Sequence, residues 1–346
     1  MNLIITDVCN RNCPYCFAEF KLNRGAEGGS SYKKDRYISV ENYSIYLEFL
    51  EKSRDEKLKL LGGEPTLHPQ FTRLVDIGLE RGFEVTIFTN GLWNDTVLEY
   101  FKGPTSPLHT DTHSRVNFVF NLNEPGLQTD QETRLQGRSL EAAGAHAKCG
   151  FNIYRTEFDL LFLGDIIKKY SLQKFIRLGL ACPIANTPNE YIKTEELKAA
   201  GTRLVGQLRQ LEKRDILGTF DCGFPLCMFS EDELGSITLS TAGFKSICSP
   251  IIDVGADLTA WPCFPLSRMF NVKLIDFNSV KELEEFYNEK FKHFRQFGSQ
   301  DECLGCKYLH RSQCAGGCLA RGLVQWAKTD PVFFEKLDAN QEQIIG

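Results

Sequence analysis

Three cysteines, Cys9, Cys13 and Cys16, stand in one short stretch, Cys9-Asn10-Arg11-Asn12-Cys13-Pro14-Tyr15-Cys16-Phe17. Thiolates at such spacing build metal sites, and cysteine is the usual ligand of iron-sulfur clusters. A 4Fe-4S cube has four irons, so a loop offering three thiolates leaves one iron without a protein ligand. An open iron can bind a small chelating molecule. A zinc knuckle is the alternative, but it needs a fourth ligand nearby, and none follows until His68. A disulfide framework needs an export signal, and Met1-Asn2 ahead of a short apolar run is not one.

The elements that must position these thiols come next. Leu3-Ile4-Ile5, ending in Thr6-Asp7, reads as a buried strand that delivers the cysteine loop. A second strand, Lys57-Leu58-Lys59-Leu60-Leu61, runs into Gly62-Gly63-Glu64-Pro65-Thr66. Paired glycines let backbone approach a ligand closely, and the acid offers an acceptor for an ammonium group. Alone, the glycine pair could be a tight turn.

Together, the Cys-x3-Cys-x2-Cys spacing with Tyr15 inside it and the Gly-Gly-Glu-Pro motif after a strand resemble the radical S-adenosylmethionine (radical SAM) superfamily. The resemblance implies a 4Fe-4S cluster on Cys9, Cys13 and Cys16. It implies S-adenosyl-L-methionine held by Gly62, Gly63, Glu64 and Pro65, with Tyr15 and Phe17 beside it. His68, in Pro-Thr-Leu-His-Pro, reads as a helix-entry residue rather than a ligand.

Beyond these motifs, helical and strand periods alternate. Helices are expected over 40–52, 71–81, 134–148 and 163–169, with 98–102 as the close of another, and strands over 83–88, 116–120, 152–160 and 175–181. The stretch from Lys21 to Arg36, rich in glycine, serine and charge, reads as a loop. Strand-helix alternation means a parallel sheet with right-handed crossovers. Six units resemble the α/β partial (β/α)6 TIM-like barrel of radical SAM enzymes, over residues 1–190. In parallel barrels chemistry collects at the carboxyl ends of strands, where both motifs fall. Asn121 and Asn123 after the fourth strand, and Arg155 or Thr156 on the fifth, are candidates for the ribose hydroxyls and carboxylate of the cofactor. Cys182, ending the sixth strand, could donate a hydrogen atom to a substrate radical or be an inert core thiol.

A charged helical stretch over 191–221 bridges to a region of different composition, 222–346. Thirteen cysteines without a signal peptide point to a reducing, cytoplasmic setting. Eight of them, Cys222, Cys227, Cys248, Cys263, Cys303, Cys306, Cys314 and Cys318, fall in the carboxy-terminal region. The pair Cys248 and Cys263 followed by Cys-x2-Cys-x7-Cys-x3-Cys resembles the SPASM extension, a cysteine-rich α+β appendage carrying two auxiliary 4Fe-4S clusters. Carried over, Cys248, Cys263 and Cys318 share one cluster, and Cys303, Cys306 and Cys314 the other. The pattern departs from the family at its end, where no cysteine follows Cys318. Cys222 and Cys227 are then expected to give one ligand to each cluster; alternatively both serve one region and the second cluster keeps an open iron. Zinc is the alternative occupant of these sites.

A net charge of −5 with scattered lysines and arginines argues against a nucleic-acid partner, and no apolar run reaches the length of a membrane span. The family resemblance implies a 5'-deoxyadenosyl radical that takes hydrogen from a substrate, fed by an external electron donor such as flavodoxin or ferredoxin. SPASM enzymes act chiefly on peptides, so maturation of a ribosomally made peptide is the expected role, by crosslink, epimerisation or oxidation. The chain starts at its first barrel strand, so a leader would be bound elsewhere or by a separate leader-peptide-binding protein. The other classes are oxidation of a small molecule such as a sugar or amino acid, and a non-enzymatic iron-sulfur or zinc scaffold.

Overall fold

In the computed structural model, residues 1–18, 36–109, 115–184, 188–221, 223–241, 244, 246–249, 251–267 and 269–329 are described. Most of the expected 21–36 loop, Cys222 and the end of the chain lie outside them.

The strands of the first half run in chain order: β1 (Asn2–Ile4), β2 (Lys57–Leu61), β3 (Glu84–Thr89), β4 (Val116–Asn121), β5 (Ala147–Ile153), β6 (Phe175–Leu180) and β7 (Leu217–Phe220). Neighbours pair in parallel throughout, with registers such as Leu3 against Leu60 and Ile87 against Phe118. Between them lie α1 (Val40–Lys52), α2 (Phe71–Glu80), α3 (Asp95–Lys102), α4 (Asp130–Ala143), α5 (Leu161–Tyr170) and α6 (Leu197–Glu212). This is an α/β fold of the partial-barrel kind. Parallel strands cannot be joined by tight hairpins, so each crossover carries a helix.

Local chemistry sets the helix starts. Ser39 and Asn94 accept the N–H groups of Asn42 and Val97, and Thr129 with Glu132 forms a reciprocal cap. Tyr43, Tyr46, Leu47 and Leu50 of α1 and Leu58 and Leu60 of β2 are buried in one continuous core. Trp93 lies about 5 Å from Phe101, Phe118 and Phe120, with ring centroids 5.2, 5.2 and 5.4 Å away.

The fifth unit differs from the sequence-based expectation. The helix expected over 134–148 ends at Ala143, where Gly144 turns with φ +47°. The strand expected over 152–160 is instead β5 at 147–153. Ala147, Cys149, Phe151 and Ile153 are buried there, while Lys148 and Asn152 between them are half-exposed. The Ala-Gly run ahead of it imitates a helix, and the alternation begins only at Ala147. Phe158 and Leu160 are buried from a loop, which is why they imitate a strand. Arg155 therefore lies beyond the strand rather than on it.

The second half adds α7 (Glu231–Ser240), β8 (Asp253–Val254), β9 (Thr259–Trp261), β10 (Val272–Lys273), α8 (Val280–Phe297), α9 (Lys307–His310) and α10 (Leu319–Thr329). β8 pairs in parallel with β1, and β9 and β10 follow antiparallel, giving one ten-stranded sheet in the order β10-β9-β8-β1-β2-β3-β4-β5-β6-β7. Asn2 Nδ2 donates to Asp253 Oδ1 at 2.8 Å, locking the junction. The carboxy-terminal region thus extends the sheet beside the strand that carries the cysteine loop. Among the described residues no helix is long and apolar enough to cross a membrane.

Candidate active site

One cavity opens at the carboxyl ends of the parallel strands. Its lining includes Cys9, Cys13 and Cys16, then Gly62, Gly63 and Glu64, together with Cys182, Cys248, Cys263 and Cys318.

The first wall is the loop after β1 clamped onto the loop after β2. Gly63 N–H donates to Thr6 O at 2.9 Å and Glu64 N–H to Val8 O at 2.7 Å. A Cβ on Gly62 would lie 2.6 Å from Thr6 O, and one on Gly63 2.8 Å from Cys9 Cβ. The glycines are required by this approach of two backbones. Asn90, just after β3, ties in the same loop by donating from Nδ2 to Asn10 Oδ1 at 2.8 Å. Cys9, Cys16 and Phe17 pack against Trp261 and Phe264 of the second half, with Phe17 and Phe264 rings 5.7 Å apart. This apolar cover pushes the Cys9 thiol up to about 12, with Glu64, Cys13 and Cys16 adding to the effect of burial. A metal overrides such a shift, because a coordinating thiol is deprotonated outright.

Glu64 is fully buried. Its Oε1 accepts the hydroxyls of Thr66 at 2.7 Å and Thr89 at 2.8 Å, and Oε2 accepts Asn90 N–H at 2.7 Å. Burial raises its pKa and these hydrogen bonds oppose the rise. With two lone pairs, Oε2 has capacity for a further donor from the cavity. Tyr15 is buried against Tyr154, 4.9 Å between centroids, and its hydroxyl donates to Asn123 Oδ1 at 2.5 Å. Burial raises the Tyr15 pKa, and the nearby Cys13 raises it further.

Of the residues singled out from sequence, Tyr15, Phe17, Gly62, Gly63, Glu64, Asn121 and Cys182 line the cavity, whereas Pro65, Asn123 and Arg155 are not in its lining. Asn123 holds Tyr15. Arg155 is paired with Glu124 and lies over the Tyr154 ring, and its side chain is 41% exposed. His68 receives the N–H of Gln70 at Nδ1 and faces Ile38 O through Nε2, both at 3.0 Å, which makes it the helix-entry residue expected.

Other lining residues were not singled out from sequence. Arg11 donates to Gln128 Oε1 at 2.8 Å and pairs with Glu132 at 3.3 Å. Asn152 on β5 and the Arg177–Asp221 pair complete the rim. Asn152 alternates with buried Phe151 and Ile153, a signal that correct strand bounds would have exposed.

Asn121 Oδ1 is buried without a hydrogen-bond partner, in the cavity wall. An orphaned acceptor there suits a hydroxyl-bearing ligand. The glycine cradle suits a close-lying small molecule. Among the described residues no group of three His, Cys, Asp or Glu side chains closes on one metal ion. A cube takes each thiolate on a different iron, so its ligands stand further apart than those of one ion.

In the second half, Cys248, Cys303, Cys314 and Cys318 are buried, and Cys227, Cys263 and Cys306 are partly exposed. Burial pushes the Cys248 thiol up to about 12. Cys222 lies outside the described residues.

The comparisons with known proteins agree with this geometry. Residues 3–110 match the family model of the Radical SAM superfamily. Over 95 residues it is 37% identical to an S-adenosylmethionine-dependent nucleotide dehydratase of Fibrobacter sp. (strain UWH6), covering 26% of this chain and 27% of that protein. It is 29% identical over 103 residues to a probable GTP 3',8-cyclase of Methanocaldococcus jannaschii, covering 30% and 32%. The chain thus spans about three tenths of the length of the curated relatives it matches. The fold extends further. Streptococcus suis SuiB bound to S-adenosylmethionine superposes with a TM-score of 0.59 at 16% identity, over 94% of this chain and 73% of that one. Native anSMEcpe with bound AdoMet gives 0.62 at 17% identity, over 91% and 88%.

Proposed function

We propose that this protein is a radical S-adenosylmethionine enzyme that modifies a peptide. The observation that carries the reading is one cavity lined both by the Cys9-Cys13-Cys16 loop with the Gly62-Gly63-Glu64 cradle and by four further cysteines. When bound, a 4Fe-4S cluster and S-adenosylmethionine supply a 5'-deoxyadenosyl radical that removes hydrogen from a substrate.

In this reading Cys9, Cys13 and Cys16 hold the first cluster. The backbone of Gly62 and Gly63 lies along the cofactor, and Glu64 Oε2 receives its ammonium group. Asn121 Oδ1 accepts a ribose hydroxyl, in place of Asn123 and Arg155, which are engaged elsewhere. Trp261 and Phe264 exclude water from the cluster loop. The second-half cysteines carry two auxiliary 4Fe-4S clusters. An electron donor of the flavodoxin or ferredoxin kind completes the cycle. The division into a barrel (1–190), a bridge (191–221) and a cysteine-rich region (222–346) is one of chemistry laid over a continuous sheet.

Peptide is favoured because the fold neighbours that superpose over more than nine tenths of the chain include SuiB bound to precursor peptide SuiA and anSMEcpe with Cp18Cys peptide. The second reading, a nucleotide substrate, rests on the names of the curated relatives, whose matches cover 26% to 33% of the chain.

The test is anaerobic reconstitution followed by reduction with S-adenosylmethionine present. About twelve irons per chain and release of 5'-deoxyadenosine are expected. Peptides encoded beside the gene should lose or rearrange hydrogen by mass spectrometry, and nucleotides such as GTP should be unchanged. Well-formed clusters with no cofactor cleavage, with either substrate class present, would overturn the reading.

A further inference from the structure

We infer that Cys182 supplies the fourth thiolate beside Cys248, Cys263 and Cys318, and Cys227 the fourth beside Cys303, Cys306 and Cys314. This rests on the reading of the chain as a cluster-bearing enzyme and departs from the sequence-based expectation, which drew the fourth thiolates from Cys222 and Cys227.

The first group converges from four parts of the chain. Cys182 follows β6, and its Sγ donates to Leu180 O at 3.3 Å, which fixes the thiol at the rim. Gly223, at φ +105°, sits against it: a Cβ there would lie 3.6 Å from Cys182 Sγ and 3.5 Å from Cys318 Cβ. A bridge between Ile247 and Gly317 brings Cys248 alongside Cys318. Ile251 and Ile252 both donate to Pro262 O, at 3.1 and 2.9 Å, folding the Cys248 segment onto the residue before Cys263. Arg321, buried in α10, donates to Ala181 O and Ile192 O and so fastens the Cys318 helix to the end of β6. All four cysteines line the cavity at the strand ends.

The second group is set apart from that cavity, since none of its members lines it. Cys306 N–H donates to Cys303 O at 3.1 Å, and Gly316 N–H donates to Cys314 Sγ at 3.3 Å. Lys307, next to Cys306, pairs with Glu231 in the turn of α7 that follows Cys227. Cys227 sits in the short turn Leu226–Met228 just ahead of α7, so this pair ties its segment to the Cys303–Cys306 turn.

Two consequences follow. Cys182 is a ligand and not a hydrogen-atom donor, because a metal-bound thiolate carries no S–H to give. The cluster beside the cavity has all four irons ligated by protein, so a substrate thiol cannot bind it. What this site offers the substrate is electron exchange at a distance.

The experiment uses the full chain with Cys9, Cys13 and Cys16 replaced by alanine, reconstituted with iron and sulfide and read by iron content and by Mössbauer and EPR spectra. About eight irons are expected. Cys182→Ser and Cys227→Ser should each lose or convert one cluster, with different spectral components affected. Cys222→Ser should keep both. Cys149→Ser, a buried thiol on β5, serves as the packing control and should also keep both. Loss of both components together in Cys182→Ser marks misfolding; Cys182→Ala with added 2-mercaptoethanol then decides, recovery of one component supporting the assignment and no recovery overturning it. An unchanged spectrum in Cys182→Ser, or loss of the cavity component in Cys222→Ser, overturns the assignment while the cluster reading stands. Failure to bind any iron overturns the cluster reading and the assignment with it. Excess 2-mercaptoethanol should leave the parent spectrum unshifted; a shift would show an open iron and refute the four-thiolate site.

Discussion

The two cysteine-bearing walls of the cavity are held in place by different physics. The Cys9–Cys16 loop hangs from β1, which is laddered to β2 on one side and β8 on the other and backed by a continuous core. Its position would persist with nothing bound. The second wall is built from strands of two or three residues and short turns. Among the described residues, four of the seven non-glycine residues at positive φ, Ile252, Leu258, Phe270 and Ser312, fall in this part of the chain. Left-handed backbone at a β-branched residue such as Ile252 costs energy and persists only where surroundings over-determine it. The lesson is that the first wall is a scaffold carrying a site, whereas the second is a site that helps hold its own scaffold.

The largest expected effect tests the first half of that contrast. Cys13→Ser should reduce 5'-deoxyadenosine release to background while shifting Tm by no more than about 2–4 °C, the equivalent of 1 kcal/mol. A large fall in Tm would mean that the loop supports the barrel after all. Stripping iron with a chelator tests the second half. Hydrogen exchange should then accelerate across 246–318 by orders of magnitude more than in β2 to β5, because local opening follows local stability. Uniform acceleration along the chain would erase the distinction between the walls. A smaller effect belongs to the junction of the two first-wall loops. Gly63→Ala places a methyl against Val8 and Cys9, which costs about 1–3 kcal/mol as overpacking. It should also raise the apparent Kd for S-adenosylmethionine, measured by calorimetry; unchanged affinity would remove Gly63 from the cofactor cradle.

The same contrast explains what the sequence made legible. Periodicity located β1 to β4, β6 and their helices because each is a repeat of buried side chains on a ladder, and both motifs fell at strand ends as a parallel barrel requires. The fifth unit slipped because Ala142 to Ala147 lacks bulky residues to mark a phase, and with it the rim position of Asn152 was lost. Cys9, Cys13, Cys16, Gly62, Gly63 and Glu64 were readable because their spacing is local. The cover from Trp261 and Phe264, the β8 pairing with β1 and the approach of Cys182 to Cys318 were not, since each joins residues far apart in the chain through contacts that leave no period. The count of second-half cysteines was plain in the sequence, but their grouping is decided by turns.

The smallest effect asks how much the surface contributes to the scaffold. Arg81, capping α2, donates to both carboxylate oxygens of Glu51 on α1, from Nε to Oε1 at 2.7 Å and from Nη2 to Oε2 at 2.5 Å. That hydrogen bonding holds the Glu51 carboxyl below its ordinary pKa. A depressed carboxylate pKa contributes stability that is complete above the unfolded value and lost as pH falls through the folded one. The pair is exposed, with 26% and 42% of the two side chains accessible, and solvent screens it. Arg81→Ala should therefore cost only about 0.3–0.5 kcal/mol at neutral pH. The difference should shrink in high salt and vanish in acid, in urea unfolding followed from pH 7 down past the carboxylate range. Iron content should not change. A cost of several kcal/mol would mean that the barrel leans on its surface charges rather than on its ladder and core, and the contrast between the two walls would have to be redrawn.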